Sequence, residues 1–429
     1  MAQSEIRRVA IVGGARVPFC RSNTAYSHQS NQDLLTATFK ALSEKYRLAG
    51  ERLGEVAAGA VLKHARDFNL TREAVLGTDL DAHTPAFDVQ QACGTGLEAA
   101  ILIANKIATG QIDSGIAGGT DTTSDAPIAI NEELRNILLD MNRAQSAGER
   151  MQLAARIRPR HLVPNFPGVS EPRTGMSMGE HCELMAKEWR ISRRAQDELA
   201  LTSHKNAAQA YIDGFYDDLV LPYLGVERDN NLRPDTSLEK LAKLKPAFDK
   251  ENGTLTAGNS TPLTDGASSV LLASEDWARE RGLPILAYFT PYSRTAAVDY
   301  VDGGEGLLMA PTYAVPDMLD AAGLSLQDFD FYEIHEAFAA QVLCTLKAWE
   351  SKKYCRERLG REDALGAIDM SKLNVKGSSI GLGHPFAATG GRIVATLAKI
   401  LHDNGGGRGL ISICAAGGQG VTAILEKPE

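Results

Sequence analysis

Two periods of apolar and polar positions share the first part of the chain. From Arg8 to about Thr120, VAIVGG reads as a buried strand and the stretch near Leu34–Tyr46 as a helix. EVAAGAVL is strand-like and is followed by a helical stretch. AFDVQQA then reads as a strand, about Gly94 to Thr109 as a helix, and SGIAGGTD as a further strand. This rhythm predicts βαβ units and a mostly parallel, buried sheet. From Ser124 to about Asn252 the texture changes. Charge is denser, prolines punctuate, and helical patterns follow one another without strands, most clearly at Glu132–Arg158 and Gly179–Ala210. That interval predicts a separate helical layer inserted into an α/β unit. After Gly253 the first rhythm returns with SSVLLAS, LPILAYFT, a helix near Ala314–Ala322 and DFYEIHEAFAAQVLCTLKAW. A charged interval at Lys352–Lys372 precedes the closing segments GLGHPFAATGGRIVATLAKIL and GLISICAAGGQGVTAIL.

One pattern occurs twice. Cys93–Asp121 and His384–Gly420 each begin with a reactive side chain among small residues. About sixteen helical residues, a strand and a double glycine follow. An internal duplication of one α/β unit is implied, with a reactive residue at the same corner of each copy.

Composition narrows the class. A chain of 429 residues suits about three units or two large ones. The net charge of −9 disfavours general affinity for nucleic acid or an anionic membrane. No transmembrane stretch is apparent, and MAQSEIRRVAIVGG runs directly into a strand pattern, so a cytoplasmic protein is expected. None of the six cysteines forms a C-x-x-C pair, so no zinc site is expected and each thiol is either packing or chemistry.

Four motifs carry candidate chemistry. Cys93, in QACGTG, is either a packing residue or a nucleophile; a helix starting near Gly94 would place its thiol where the helix dipole favours thiolate. His384, in GHPFAATGG, precedes a proline and so lies on a loop entering the next helix, as a structural histidine or as a base for Cys93. Cys414, in CAAGGQG, is a core thiol or an acid/base beside glycine-bearing backbone that forms an oxyanion hole. His335, in HEAFAAQ, is expected to cap a helix. Ala339 stands where a zinc protease motif needs its second histidine. The glycine pairs Gly13-Gly14 and Gly118-Gly119 lack dinucleotide-loop spacing, and no phosphate-binding G-x-x-x-x-G-K loop occurs.

Together with RVPF at Arg16–Phe19, MSMGEHCELMAKEW at Met176–Trp189 and KPAFDKENGTLTAGNSTPLTDGA at Lys245–Ala267, these motifs resemble the thiolases over nearly the whole chain. The resemblance implies a thiolase fold: a duplicated, five-layered αβαβα arrangement with an inserted helical loop domain. The expected boundaries are 1–123 for the N-terminal half (completed by 263–285), 124–262 for the loop domain and 286–429 for the C-terminal half. It implies acyl transfer between 3-ketoacyl-CoA and CoA. By this resemblance Cys93 looks like the acyl-accepting nucleophile, His384 its base and Cys414 the second acid/base. The backbone N–H groups of Cys93 and Ala416 form an oxyanion hole. His335 stands where many thiolases carry Asn, and the HEAF form is similar to β-subunits of fatty-acid oxidation complexes. Arg233, Met178, Phe248, Ala257, Thr261, Ala337 and Phe338 fall on positions that line the CoA tunnel. No cofactor or metal is implied, since CoA and acyl-CoA are substrates. A homodimer or homotetramer is implied, and a multifunctional β-oxidation subunit is a partner to test. The apolar stripe Leu134, Ile137, Leu138 and Met141 either packs on its own domain or docks that partner. Three departures from the family are Gly94-Thr95 after the nucleophile, Phe386-Ala387-Ala388-Thr389 after GHP, and Ala416 in place of a glycine. A biosynthetic acetoacetyl-CoA thiolase, a ketoacyl synthase and a non-catalytic acyl-CoA carrier are the rival readings.

Overall fold

The computed structural model describes residues 6–302 and 304–429, so the first five residues of the expected N-terminal half lie outside it. In chain order the strands are β1 (Val9–Arg16), β2 (Cys20–Arg21), β3 (Glu55–Ala58), β4 (Ala86–Asp88), β5 (Ser114–Asp121) and β6 (Thr264–Ser274). Then come β7 (Ala287–Phe289), β8 (Arg294–Ala297), β9 (Phe331–Ile334), β10 (Gly407–Ala415) and β11 (Gln419–Lys427). The path runs β4-β3-β5-β6-β1 and then β7-β11-β10-β9, with β2 attached to β6 and β8 to β11.

Pairing direction exposes the duplication. β3 and β5 are parallel, as are β9 and β10. β5–β6 and β6–β1 are antiparallel, matched by β10–β11 and β11–β7. β4 runs parallel to β3, and its counterpart is reduced to one parallel bridge between Tyr332 and Leu373. The halves join edge to edge where β1 meets β7, with Val9 opposite Phe289.

Two helices form the middle layer, Thr95–Ala108 and Ala388–Asp403, each the helix of one duplicated unit. They pack on each other and on strands of both halves. The second is buried almost all round, as its apolar and small residues require. β6 is buried along its entire length on both faces, which a strand between two helical layers must be. Asn31–Tyr46 covers the outer face of β6 and Pro311–Ala322 that of β11, giving the five layers expected of a thiolase fold.

Between β5 and β6 lie helices Glu132–Arg143, Ala147–Ala154, Met178–Glu188, Arg193–Ile212 and Leu238–Ala242. Each expected long helical pattern here is in fact two helices. Ser146 caps the second by accepting from the Glu149 N–H, and Ser192 does the same for Ala195, after Arg190 has turned into the left-handed region at φ 52°. The helix Glu132–Arg143 contains no buried residue, and Leu138 and Leu139 are exposed.

Candidate active site

Strand ends and helix starts converge at one place. Cys93 follows β4 and precedes the first central helix; His384 stands at the equivalent corner before the second. Cys414 lies near the end of β10, and His335 directly follows β9, its N–H bonded to the Ser412 carbonyl at 2.9 Å. His335 does not cap a helix. The next helix begins at Ala339 with Phe338 as its N-cap residue, because the chain stays extended through Phe338.

Cys93 sits on a bent backbone. Ala92 is left-handed at φ 46°, an unusual conformation for a residue with a Cβ. Thr95 braces the bend: its Oγ1 accepts the Gln91 N–H at 2.8 Å and donates to the Ala92 carbonyl at 2.7 Å. Gly94 is also accounted for, since a Cβ there would lie 2.7 Å from Val421 Cγ2 on β11. Gly96 and Gly390 bring the two central helices into backbone contact. A Cβ on Gly390 would lie 2.0 Å from the Leu97 nitrogen, and one on Gly96 would lie 2.5 Å from the Ala387 carbonyl. The corners carrying Cys93 and His384 are thereby pressed together.

His384 Nε2 lies 3.2 Å from Cys93 Sγ, across 291 residues of chain. Its other ring nitrogen meets Thr389 Oγ1 at 2.5 Å, and its backbone N–H donates to Thr264 Oγ1 at 2.8 Å. Asp121, at the end of β5, accepts from the N–H groups of Val61, Leu62 and Ala387, so it ties the His384 loop to the N-terminal half. The His335 and His384 rings are 4.2 Å apart. Donor atoms of Cys93, His335 and His384 all lie within 4.8 Å of one another.

Burial governs the electrostatics. It pushes the Cys93 thiol up to about 12, against the backbone N–H groups of Ala416 and of Cys93 itself, which pull it down. Desolvation therefore acts against the thiolate that a helix start was expected to favour, and it raises the thiol rather than lowering it. Burial first, and then the Arg392 guanidinium, holds His384 down at about 3, so its imidazole is neutral and able to accept a proton. His335 is likewise held well below its ordinary value by burial, then by His384 and Arg392. Burial raises Cys414 well above its ordinary value, and the neighbouring Cys93 adds to the shift. Such a thiol is a proton donor rather than a standing nucleophile.

Ala416 is not among the left-handed residues; those positions fall on Gly417 (φ 79°) and Gly418 (φ 70°). Alanine thus keeps its backbone donor here without strain. Of the positions assigned to CoA, Met178, Phe248, Ala337 and Phe338 gather with Cys414 in one apolar cluster, where the Phe248 and Phe338 rings meet edge to face. Thr261 joins them by donating twice to the Ala337 carbonyl, from N–H at 3.0 Å and from Oγ1 at 3.2 Å. Arg233 and Ala257 are exposed and outside this cluster, and the Arg233 guanidinium donates to the nearby Asn230 and Leu232 carbonyls. Sequence reasoning missed Glu171. Its carboxylate accepts from the Gly417 N–H and the Tyr300 hydroxyl, both at 2.9 Å, and so pins the inserted segment against the turn after Cys414. It also missed Arg392 and Ser379, which support His335 from behind.

Comparison with known proteins agrees with this arrangement. The family model "Thiolase, N-terminal domain" matches residues 9–276, and "Thiolase, C-terminal domain" matches 283–427. The chain is 43% identical over 425 residues to a 3-ketoacyl-CoA thiolase of Yersinia pestis (strain Pestoides F), covering 98% of this chain and 97% of that protein. The same figures hold for a 3-ketoacyl-CoA thiolase of Yersinia pseudotuberculosis serotype O:1b (strain IP 31758). Among solved structures, the Bacillus anthracis acetyl-CoA acetyltransferase is similar at a TM-score of 0.82 and 28% identity, over 99% of this chain and all of that one. Two family models spanning both duplicated halves, full-length relatives and a shared fold lead to one conclusion: the chain belongs to the thiolase family and is an acyltransferase.

Proposed function

We propose that the protein transfers acyl groups between 3-ketoacyl-CoA and CoA through an acyl-Cys93 intermediate, releasing acetyl-CoA and a shortened acyl-CoA. The observation that carries this reading is the 3.2 Å approach of His384 Nε2 to Cys93 Sγ, with a neutral imidazole facing a buried thiol. His384 takes the thiol proton as sulfur attacks the C3 ketone. The C2–C3 bond breaks, Cys414 protonates the departing enolate carbon, and acetyl-CoA leaves. The Cys414 thiolate then takes the proton of an incoming CoA thiol, which attacks the thioester. Cys93 departs as thiolate and recovers its proton from His384. The Ala416 and Cys93 N–H groups stabilise the tetrahedral oxyanion, and His335 and His384 stabilise the enolate oxygen. A preorganised donor of this kind is worth about 2.7–4 kcal/mol. The chain's own groups thus account for each proton, and CoA is substrate rather than cofactor.

The test is Cys93→Ser, assayed for thiolysis across acyl-chain lengths and for the acyl adduct by intact-protein mass spectrometry. Loss of both turnover and adduct in a folded variant is expected; retained turnover would sink the assignment. A second reading, condensation of two acetyl-CoA, is favoured by the fold similarity to an acetyl-CoA acetyltransferase. Its identity to this chain is 28%, against 43% for the 3-ketoacyl-CoA thiolases, which supports the degradative direction. The same assay run in reverse separates the two.

The reading includes the units 1–123 with 263–285, 124–262 and 286–429. It includes a cytoplasmic homodimer or homotetramer as well. No helix among the described residues is long and apolar enough to cross a membrane. CoA is held along Met178, Phe248, Thr261, Ala337 and Phe338, with Arg233 and Ala257 at the exposed end. The inserted domain carries a face for a multifunctional β-oxidation subunit, supported by the exposed Leu138 and Leu139.

A further inference from the structure

We propose that Ser379 and Arg392 are positioning residues that hold His335 in its Nε2–H tautomer, so that its free donor faces the substrate's thioester oxygen. This rests on the acyl-transfer reading of the site. Arg392, on the second central helix, donates from Nη2 to Ser379 Oγ at 2.9 Å and reaches Ser378 Oγ at 3.4 Å. A guanidinium has only donors, so the Ser379 oxygen receives that hydrogen and must send its own elsewhere. The one other polar partner of that oxygen among the described residues is His335 Nδ1, at 2.8 Å. Nδ1 is therefore the acceptor, and the ring proton resides on Nε2. That Nε2 is fully buried and has no partner among the described residues. A buried donor left open at an active site is a donor kept for the ligand.

The neighbouring ring needs the opposite arrangement. His384 must present a lone pair at Nε2 to take the Cys93 proton, so its Nδ1–H is directed to Thr389 Oγ1. Two imidazoles 4.2 Å apart thus carry opposite tautomers, one to give a hydrogen bond and one to take a proton. Only His335 has a cation behind its hydroxyl. The turn bearing Ser379 is itself fixed by Glu336, which accepts from Ser203 Oγ, Asn374 Nδ2 and the Ile380 N–H.

A double-mutant cycle reads this out. Ser379→Ala is made in the wild-type chain and in a His335→Asn background, where an amide donor has no tautomer to set. The expected result is a kcat lowered roughly 100-fold by Ser379→Ala alone, the scale of one lost oxyanion donor. In the His335→Asn background the same change should cost less than about twofold. Arg392→Gln offers the Ser379 hydroxyl a second acceptor and should show the same dependence on His335. Equal factors in both backgrounds, or no loss in the single variant, would overturn the inference. Failure of the wild-type protein to thiolyse 3-ketoacyl-CoA would instead overturn the acyl-transfer reading.

Discussion

At the scale of single residues, the site is held by hydroxyls and by small residues where atoms must come close. Thr95 is the clearest case. A free hydroxyl inside a helix start competes with the backbone, and here that competition supports the left-handed Ala92. Thr95→Val keeps the shape but leaves the Gln91 N–H without its acceptor. The expected cost is about 1–3 kcal/mol in stability, read by chemical denaturation. Slower alkylation of Cys93 by iodoacetamide should accompany it; unchanged stability and reactivity would show the brace to be idle. The gathering of Cys93, His384 and His335 was legible in outline, because each stands in a motif with its own spacing. The Arg392–Ser379–His335 chain was not, since its members are 13 and 44 residues apart and meet only after folding. The direction of the Cys93 shift was misread for a related reason. A helix start is visible in sequence, whereas the packing that desolvates the thiol is not.

Among elements, the duplicated units were legible in outline because each repeats a reactive residue among small residues, a helix, a strand and a double glycine. The helix breaks at Ala144–Gln145 and Arg190–Ile191 were missed, although Ser146 and Ser192 are good cap residues. Hydrophobic periodicity runs across such breaks, while the cap is one side chain and one dihedral angle. The helix Glu132–Arg143 shows the other side of this. Its stripe left packing and docking both open; none of its residues is fully buried, and Leu134, Ile137 and Met141 are half-buried. Of that stripe only Leu138 is exposed, with Leu139 beside it. If the proposed docking of a multifunctional β-oxidation subunit uses this helix, Leu138→Lys with Leu139→Lys should abolish co-elution while leaving thiolysis unchanged. Co-elution of the doubly substituted protein would remove that role from the face.

For the whole molecule, the interior holds ionisable groups whose protonation is locked by burial. Glu333 on β9 is pushed up to about 8, against Arg392, which lowers it, and with Glu336, which raises it further. Its folded value lies above its unfolded one, so the native state holds a proton that the unfolded chain has lost. Its stabilising contribution is present below about 4.5 and is lost as pH rises towards 8. His384 and His335, both held low, act in the opposite sense and only below about 6.5, where falling pH charges them in the unfolded chain. Asp121, which burial pushes up to about 7, acts in the same sense as Glu333, so Glu333 stands apart from these groups between about pH 7 and 8. Glu333→Gln should flatten the fall in denaturation midpoint across that window, and an unchanged slope would exclude Glu333 as its source.

The 291-residue separation of Cys93 from His384 also has a consequence in time. A ribosome adding about 5–20 residues per second needs roughly 15–60 s to reach the base after the thiol has been made. Through that interval the nascent chain holds Cys93 without its His384 partner. The paired Cys93–His384 geometry can form only when the second half docks on the first, so it is a late product of folding rather than a property of the nascent first half.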